Sequence, residues 1–505
     1  MENLYCTLAL IVSIFMIIKL ILNYKQNLPP SPPTLPIIGH LYLIKKPLHQ
    51  ALQDLLSQYG PIIYLRFGCK SILVVSSPSA VEECFTKNDK IFADRPRTLA
   101  GDHFTYNYNS FAMASYGHLW RSRRRFSVVE IFSTTSLQKS LTPLQDEVRN
   151  LLRLVYMHSV RDDKKVDLKN LFSLLNINFI MRIVAGRPGI EVKEAEMEVL
   201  EKFLLDFKER FFPSLSMNIC DFFPILRSIG YKGIEKSFVR LQKKRDEYLQ
   251  NLLDEIRLKK TVTSTIRNGE NNRSLIETLL YLQESDPEFY SDQVIKSNIV
   301  MMFIAGVETA ALTLEWAMSL LLNHPEALQK VSAEIDKNVG DGCLPSELDL
   351  VKLPYLRCVI NEALRLYPPA PLLLPHSSSE DCIVGRYNIP RGTILLVNAF
   401  AMHRDAKVWE EPTKFKPERF EDSFVEREGF KYIPFGMGRR TCPGAGMAIR
   451  TASLALAALI RCFDWEKVGE EVDMSQHYGL SLSKAKPLVA MCTPRQNMIE
   501  FLSQL

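Results

Sequence analysis

Apolar and polar positions fall into different registers along the chain, and each register predicts an element. From Leu4 to Leu22 the chain is apolar apart from small polar residues and Lys19, long enough to span a bilayer. Pro61 to Phe67 and Ser71 to Val75 read as two strands of a hairpin around Gly68-Cys69-Lys70. Ser77-Pro78 then supplies a cap and a first-turn proline for a helix. The longest predicted helix runs from Ser291 to Leu322 and is closed by Asn323-His324-Pro325. Its middle, Ile299 to Val307, is apolar all round, as in a helix buried in a large core. Glu308, Thr309 and Glu315 interrupt the run too soon for a second membrane span. A further helix starts near Pro354 and ends before Pro368, whereas Lys259 to Ser274 is polar and reads as an exposed loop. The fold class that follows is mainly α with a smaller β region.

The start of the chain divides it. A cleaved signal peptide would show a basic start, a shorter apolar core and a small-residue cleavage site, but here Glu2 precedes the run and no such site follows. Residues 1–24 are therefore expected to form an uncleaved N-terminal signal anchor, a transmembrane helix. Lys25, Lys45 and Lys46 follow it, which places the rest of the chain in the cytosol. Residues 25–40 form a Pro-rich hinge, with Leu28-Pro29-Pro30-Ser31-Pro32-Pro33 as a semi-rigid extended spacer. Residues 41–505 form a single catalytic domain.

Composition narrows the chemistry. Of the 505 residues 47% are apolar, enough for a large core, and the net charge of +5 is too dispersed for a nucleic-acid footprint. Ten cysteines are scattered without a Cys-x-x-Cys pair, which is neither a disulfide framework nor a zinc site and suits a reducing compartment. One of them stands apart. In Phe435-Gly436-Met437-Gly438-Arg439-Arg440-Thr441-Cys442-Pro443-Gly444, Cys442 lies in a glycine-rich loop running into a helix. A thiol there, with Arg439 and Arg440 beside it, is expected to be pushed toward thiolate.

Phe435, Gly438, Arg440, Cys442 and Gly444 match the Phe-x-x-Gly-x-Arg-x-Cys-x-Gly signature of haem-thiolate proteins, and the chain resembles the cytochrome P-450 superfamily. The resemblance implies the cytochrome P-450 fold and a haem b held by the Cys442 thiolate. Trp120-Arg121-Ser122-Arg123-Arg124-Arg125 resembles the Trp-x-x-x-Arg segment, so Trp120 (through its indole N–H), Arg124, Arg440 and His376 are implied to hold the haem propionates. Ala305-Gly306-Val307-Glu308-Thr309 resembles the oxygen-binding segment, with Thr309 and Glu308 relaying protons and Gly306 leaving room for a kink and dioxygen. Ala310 replaces a commoner hydroxyl residue, which removes a second relay arm. Glu362 and Arg365, with Arg419 downstream, match a buried structural network behind the haem.

Asp221-Phe222-Phe223-Pro224, Glu315-Trp316-Ala317-Met318 and Lys484-Ala485-Lys486-Pro487-Leu488 are similar to a plant microsomal branch that contains isoflavone hydroxylases and lignan-oxidising enzymes. The expected activity is a monooxygenase reaction of plant specialised metabolism at the endoplasmic reticulum membrane. One atom of O2 would enter a lipophilic small molecule, with electrons from NADPH. No Gly-x-Gly-x-x-Gly follows a strand, so the electrons are expected from a separate NADPH-cytochrome P-450 reductase, met by Arg121, Arg123 and Arg125. The loop 96–117 is implied to cover the pocket with Phe104, Tyr106, Tyr108 and Phe111, with Ile304, Leu372, Leu373 and Leu482 as apolar walls. The alternative for the four aromatics is a satellite core under the loop. Stacking would favour a phenolic multi-ring substrate of isoflavonoid or lignan type. A terpenoid is the alternative substrate. A haem-thiolate isomerase or dehydratase that uses no external electrons, and a haem sensor, are the alternative classes; the retained Thr309 speaks against the first.

Overall fold

The computed structural model describes residues 27–505 except 46, 161–163, 192–196, 212–216, 264–272, 422–428 and 478. The anchor expected at 1–24 lies outside the described residues. Five helices form the centre: Leu141–Ser159, Leu168–Ala185, Glu308–Asn323, Pro354–Leu366 and Ala445–Cys462. Leu168–Ala185 shows how local chemistry sets these elements. The Asp167 side chain accepts from the Asn170 N–H at the start, and Gly186 closes the end in a left-handed conformation. Between the caps the helix is buried on nearly every side, with Leu141–Ser159 and Glu308–Asn323 packed against it. Each fully buried Leu, Ile or Phe contributes about 1.5–3 kcal/mol. Leu168–Ala185, Asp292–Asn323 and Ala445–Cys462 are long and apolar enough to cross a membrane by length and composition, but most of each apolar stretch is covered by protein.

The β region lies to one side. Ile62–Phe67 and Lys70–Val75 form the expected hairpin, Ile394–Val397 adds in parallel to the second strand, and His376–Ser377 pairs antiparallel at the far edge. A three-stranded antiparallel sheet joins Lys165–Asp167, Val489–Pro494 and Phe463–Lys467, and Cys382–Val384 pairs with Tyr387–Ile389. The Pro-rich segment runs along the first strand. Tyr64 N–H donates to the Pro30 carbonyl at 2.9 Å, Tyr42 Oη donates to Pro33 at 2.7 Å, and the His40 ring bonds the Pro32 carbonyl at 2.9 Å.

Two expectations change. The stretch from Lys259 is not all loop, because the helix Ile234–Thr263 takes in its first residues and Ser274 caps the next helix, Leu275–Ser285, with a capping box through Glu277. The helix expected over 291–322 is two segments, Asp292–Gly306 and Glu308–Asn323, that meet at Val307. At Gly306 a Cβ would lie 2.8 Å from Ile180 Cδ1, the flexible end of a side chain on Leu168–Ala185, so the missing side chain gives that helix room at the kink.

Candidate active site

Along the buried helix pair one face is uncovered. Met301 to Phe303, Val307 and Ala310 to Leu322 are buried, while Ala305 is exposed and Ile304, Gly306, Glu308 and Thr309 are half-buried. Exposure in the middle of a core helix means that this face borders a hollow inside the protein. Thr309 Oγ1 donates to the Ala305 carbonyl at 2.6 Å, a bond to the preceding turn that leaves the oxygen's acceptor capacity free. Glu308 Oε1 accepts from Ser481 Oγ at 2.8 Å.

The Cys442 loop is the second wall. Cys442 N–H donates to the Phe435 carbonyl at 2.9 Å and Thr441 Oγ1 to the Gly436 carbonyl at 3.1 Å, which closes the loop on itself. The following helix, Ala445–Cys462, packs against Glu308–Asn323. Cys442 is exposed by surface area, yet protein crowds it from nearly every direction; both hold for a thiol that faces an internal hollow. Burial pushes the thiol up from its ordinary value, and the Gly444 N–H, the Arg124 guanidinium and the Ala445 N–H pull it back. In the chain by itself desolvation outweighs the helix start. Arg439 and Arg440 turn to other partners. Arg439 pairs with Asp89 at 2.7 Å, and Arg440 donates to the Ala93, Ala112 and Ala114 carbonyls.

Arg440 belongs instead to a cluster with Arg95 and Arg124. Arg95 donates to Ala112, Leu374 and Pro375, and Arg124 to the Thr441 carbonyl at 2.6 Å. Burial, then the charges of Arg440 and Arg124, push Arg95 down to about 9; burial likewise lowers Arg440 to about 10, although Asp94 opposes it. The cluster is thus rich in positive charge, bonds mainly carbonyls and has one nearby acid. That is the environment two carboxylates would relieve. A soft thiol, three guanidiniums and an apolar helix face together fit an iron porphyrin with two propionates. Arg95 is missing from the sequence reading, since one arginine between Asp94 and Pro96 carries no periodic signal.

Trp120 and His376 adjoin this cluster, with ring N–H groups bonded within the chain. The Trp120 indole N–H, assigned to a propionate by resemblance, donates to the Phe111 carbonyl at 2.9 Å, and Arg440 lies over the ring. His376 is buried and held neutral, its pKa lowered well below the ordinary value by desolvation and by Arg95. Its Nδ1 donates to the Phe92 carbonyl. Arg123 is buried and donates to Asn109, so of the three arginines proposed for a partner only Arg121 and Arg125 face solvent.

The loop aromatics follow the satellite-core alternative. Phe104 is fully buried against Phe238 with Arg245 over its ring, and Phe111 lies in the main core. Tyr108 Oη donates to the Thr98 carbonyl and accepts the Thr98 N–H, and Tyr106 Oη donates to Asp246 at 2.8 Å. These bonds hold Tyr106, Asn107 and Tyr108 in successive left-handed conformations, at a cost of roughly 1–3 kcal/mol each. Leu372 and Leu373 are buried in two separate clusters on the β side, and Leu482 is fully buried. Ile304 is the expected wall residue that adjoins the hollow.

Behind the Cys442 loop, Arg365 donates to both oxygens of Glu362 at 2.7 and 2.8 Å, and Arg419 Nε adds a third bond at 3.0 Å. The remaining Arg365 donors reach the His403, Pro412 and Lys414 carbonyls. His403 is a link that sequence reasoning missed. Its Nδ1 donates to the Arg365 carbonyl and its Nε2 accepts the Ile433 N–H at 3.1 Å, joining this network to the strand of chain that leads into Phe435.

A sequence model of the family described as Cytochrome P450 matches residues 29–492. The chain is 47% identical to Cytochrome P450 81Q32 of Catharanthus roseus, across 95% of this chain and 94% of that protein. It is 43% identical to the (+)-piperitol/(+)-sesamin synthase CYP81Q2 of Sesamum radiatum (100% and 99% covered). It is also 43% identical to an isoflavone 2'-hydroxylase of Medicago truncatula (97% of each). A solved zebra fish cytochrome P450 with abiraterone superposes with a TM-score of 0.72 at 27% identity, covering 89% of this chain and 100% of that one. The fold, the single thiol facing the hollow and these relatives agree: the chain belongs to the cytochrome P450 family and is a haem-thiolate monooxygenase that uses O2.

Proposed function

We propose that the chain hydroxylates a phenolic multi-ring plant metabolite of isoflavonoid or lignan type. Electrons would come from NADPH through a separate reductase, at an endoplasmic reticulum membrane reached through the segment 1–24. The observation that carries the chemistry is Cys442, a thiol that opens to the hollow and meets two backbone N–H groups and Arg124. The haem, when bound, supplies oxygen activation. Cys442 would ligate it, and Arg95, Arg124 and Arg440 would neutralise its propionates. Thr309 and Glu308 would handle protons, Thr309 Oγ1 as the hydroxyl at the hollow and Glu308 as the carboxyl beside it. Ala305 and Ile304 form an apolar face that excludes water and orients a flat ring.

The substrate class is supported by the relatives named as isoflavone hydroxylases and as a (+)-sesamin synthase, rather than by the loop aromatics, which are engaged in packing. Two measurements test this reading. The reduced, carbon-monoxide spectrum of Cys442→Ala should lack the thiolate-type band; its survival would remove Cys442 from the role. Isoflavonoids and lignans should shift the wild-type haem from low to high spin and turn over with NADPH and reductase. Shifts and turnover with terpenoids alone would reject the phenolic class. Product formed without NADPH would point to an isomerase.

A further inference from the structure

The turn that carries Ser481 is fixed at two points to the elements that build the site. Leu482 N–H donates to the Pro369 carbonyl at 3.0 Å, just beyond the helix Pro354–Leu366. On the other side the indole N–H of Trp316 donates to the Leu482 carbonyl at 2.7 Å. Trp316 is fully buried and lies two turns along the same helix that begins with Glu308. The turn is therefore referenced to the helix whose first residue it touches. Its one polar side chain at that point, Ser481, donates to Glu308 Oε1 at 2.8 Å. Both residues are half-buried, so the contact borders the hollow without being sealed from water.

We propose that Ser481 is a positioning residue for the reaction, acting through Glu308. This rests on the reading of Glu308 and Thr309 given above. A serine hydroxyl donates one bond and accepts two, so Ser481 can hold the carboxylate while its own oxygen accepts from water. Recharging Glu308 then balances without any electron. A hydrated proton from solvent passes to Ser481 Oγ as the Ser481 O–H proton passes to Glu308 Oε1, in one concerted relay whose net change is one solvent proton taken up by the carboxylate. The hydroxyl arrives from a segment more than 150 residues downstream of Glu308, by the separation of 173 between the two. It thereby restores a second hydroxyl beside the acid–threonine pair, where Ala310 offers none on the helix itself. A hydrogen bond to an ionised carboxylate also narrows its rotamers, which keeps Glu308 near Thr309 rather than turned to solvent.

The test uses the full-length, haem-loaded enzyme with its reductase and compares Ser481→Ala, Ser481→Thr, Glu308→Gln, Thr309→Ala and Ser481→Ala/Glu308→Gln. In Ser481→Ala, product per NADPH should fall about fivefold, the scale of one lost hydrogen bond, with peroxide rising to match. Ser481→Thr should restore it. The double variant should be no worse than Glu308→Gln alone. Infrared difference spectra of wild type against Glu308→Gln isolate the Glu308 carboxyl band, and Ser481→Ala should shift that band at unchanged haem content. If Glu308→Gln and Thr309→Ala leave the ratio unchanged, the underlying reading fails and this proposal with it. If they lower it while Ser481→Ala changes neither the ratio nor the carboxyl band, only the role of Ser481 is overturned. An equal loss from Ser481→Ala in the Glu308→Gln background would also overturn it, since the effect would not run through Glu308.

Discussion

Two groups of buried charges sit on either side of the Cys442 loop, and they are built on opposite plans. Around Glu362, each N–H of Arg365 finds an acceptor, two on the carboxylate and the others on carbonyls. Around Arg440, burial lowers three guanidiniums, neighbouring arginine charges add to this at Arg95 and Arg440, and Asp94 is the nearby acid. The first group is closed within the chain. The second is left with surplus positive charge, its guanidiniums bonded to neutral carbonyls. A buried charge that is fully satisfied holds elements in place, whereas one that is under-satisfied marks where something from outside the chain belongs.

The comparison breaks most sharply at Glu362. Glu362→Ala strands Arg365 in the core, and removing one partner of a buried pair costs about 3–5 kcal/mol. Urea unfolding should show that loss, with little haem-loaded protein recovered. His403, bonded into the same closed group, gives it a pH signature. Burial, then Arg365 and Arg404, hold this histidine down to about 3, from an ordinary value of 6.5. The unfolded chain therefore binds a proton that the fold refuses between those values. The contribution is fully present above pH 6.5 and falls as pH drops toward 3, by up to about 1.4 kcal/mol per unit. In His403→Gln the acid limb of the stability–pH profile should be shallower; an identical slope would show that another group sets it.

The open group should respond with the reverse pattern. Arg124→Gln keeps a donor for the Thr441 carbonyl and removes one like charge. Unfolding of the haem-free form should change by less than about 0.5 kcal/mol, while haem passes to a scavenger protein about tenfold faster. Equal losses in both assays would make Arg124 part of the scaffold. The smallest effect belongs to charges that face water. Reversing Arg121 and Arg125 to Glu should slow reduction by the reductase at low salt and leave it near wild type at high salt, where screening acts within about 8–10 Å. Unchanged rates at every ionic strength would move the docking face elsewhere.

What the sequence made legible follows the same division. Cys442, Glu362, Arg365 and Arg419 lie in short motifs whose spacing carries the geometry, and the structure brings Glu362, Arg365 and Arg419 together. The hairpin, the caps and the buried run at Ile299 to Val307 were equally readable, because each rests on contacts within one segment, although the run was read as part of one continuous helix. Arg95, His403 and Ser481 escaped notice because their partners lie far along the chain. Arg95 reaches Leu374 and Pro375, and Ser481 reaches Glu308. Nothing periodic announces such pairings. The aromatic loop misled for a related reason. A cluster of rings reads the same whether it lines a pocket or a core, and Gly101 decides the matter by making space for the Tyr108 hydroxyl. Gly306 is similar: room for a kink was readable, but Ile180 as its near neighbour was not.

The fastening of the Pro-rich segment to the first strand has a mechanical consequence. The bonds at Pro30, Pro32 and Pro33 make this segment part of the sheet rather than a free leash. The chain is fastened again at Asn27, whose carbonyl accepts the Asn388 N–H at 3.0 Å and whose Nδ2 donates to the Arg386 carbonyl at 2.7 Å. A load applied at Asn27 or Pro30 is therefore carried straight into Ile62–Phe67 and Lys70–Val75, and on to Ile394–Val397 beside His376, like a bracket bolted to a beam.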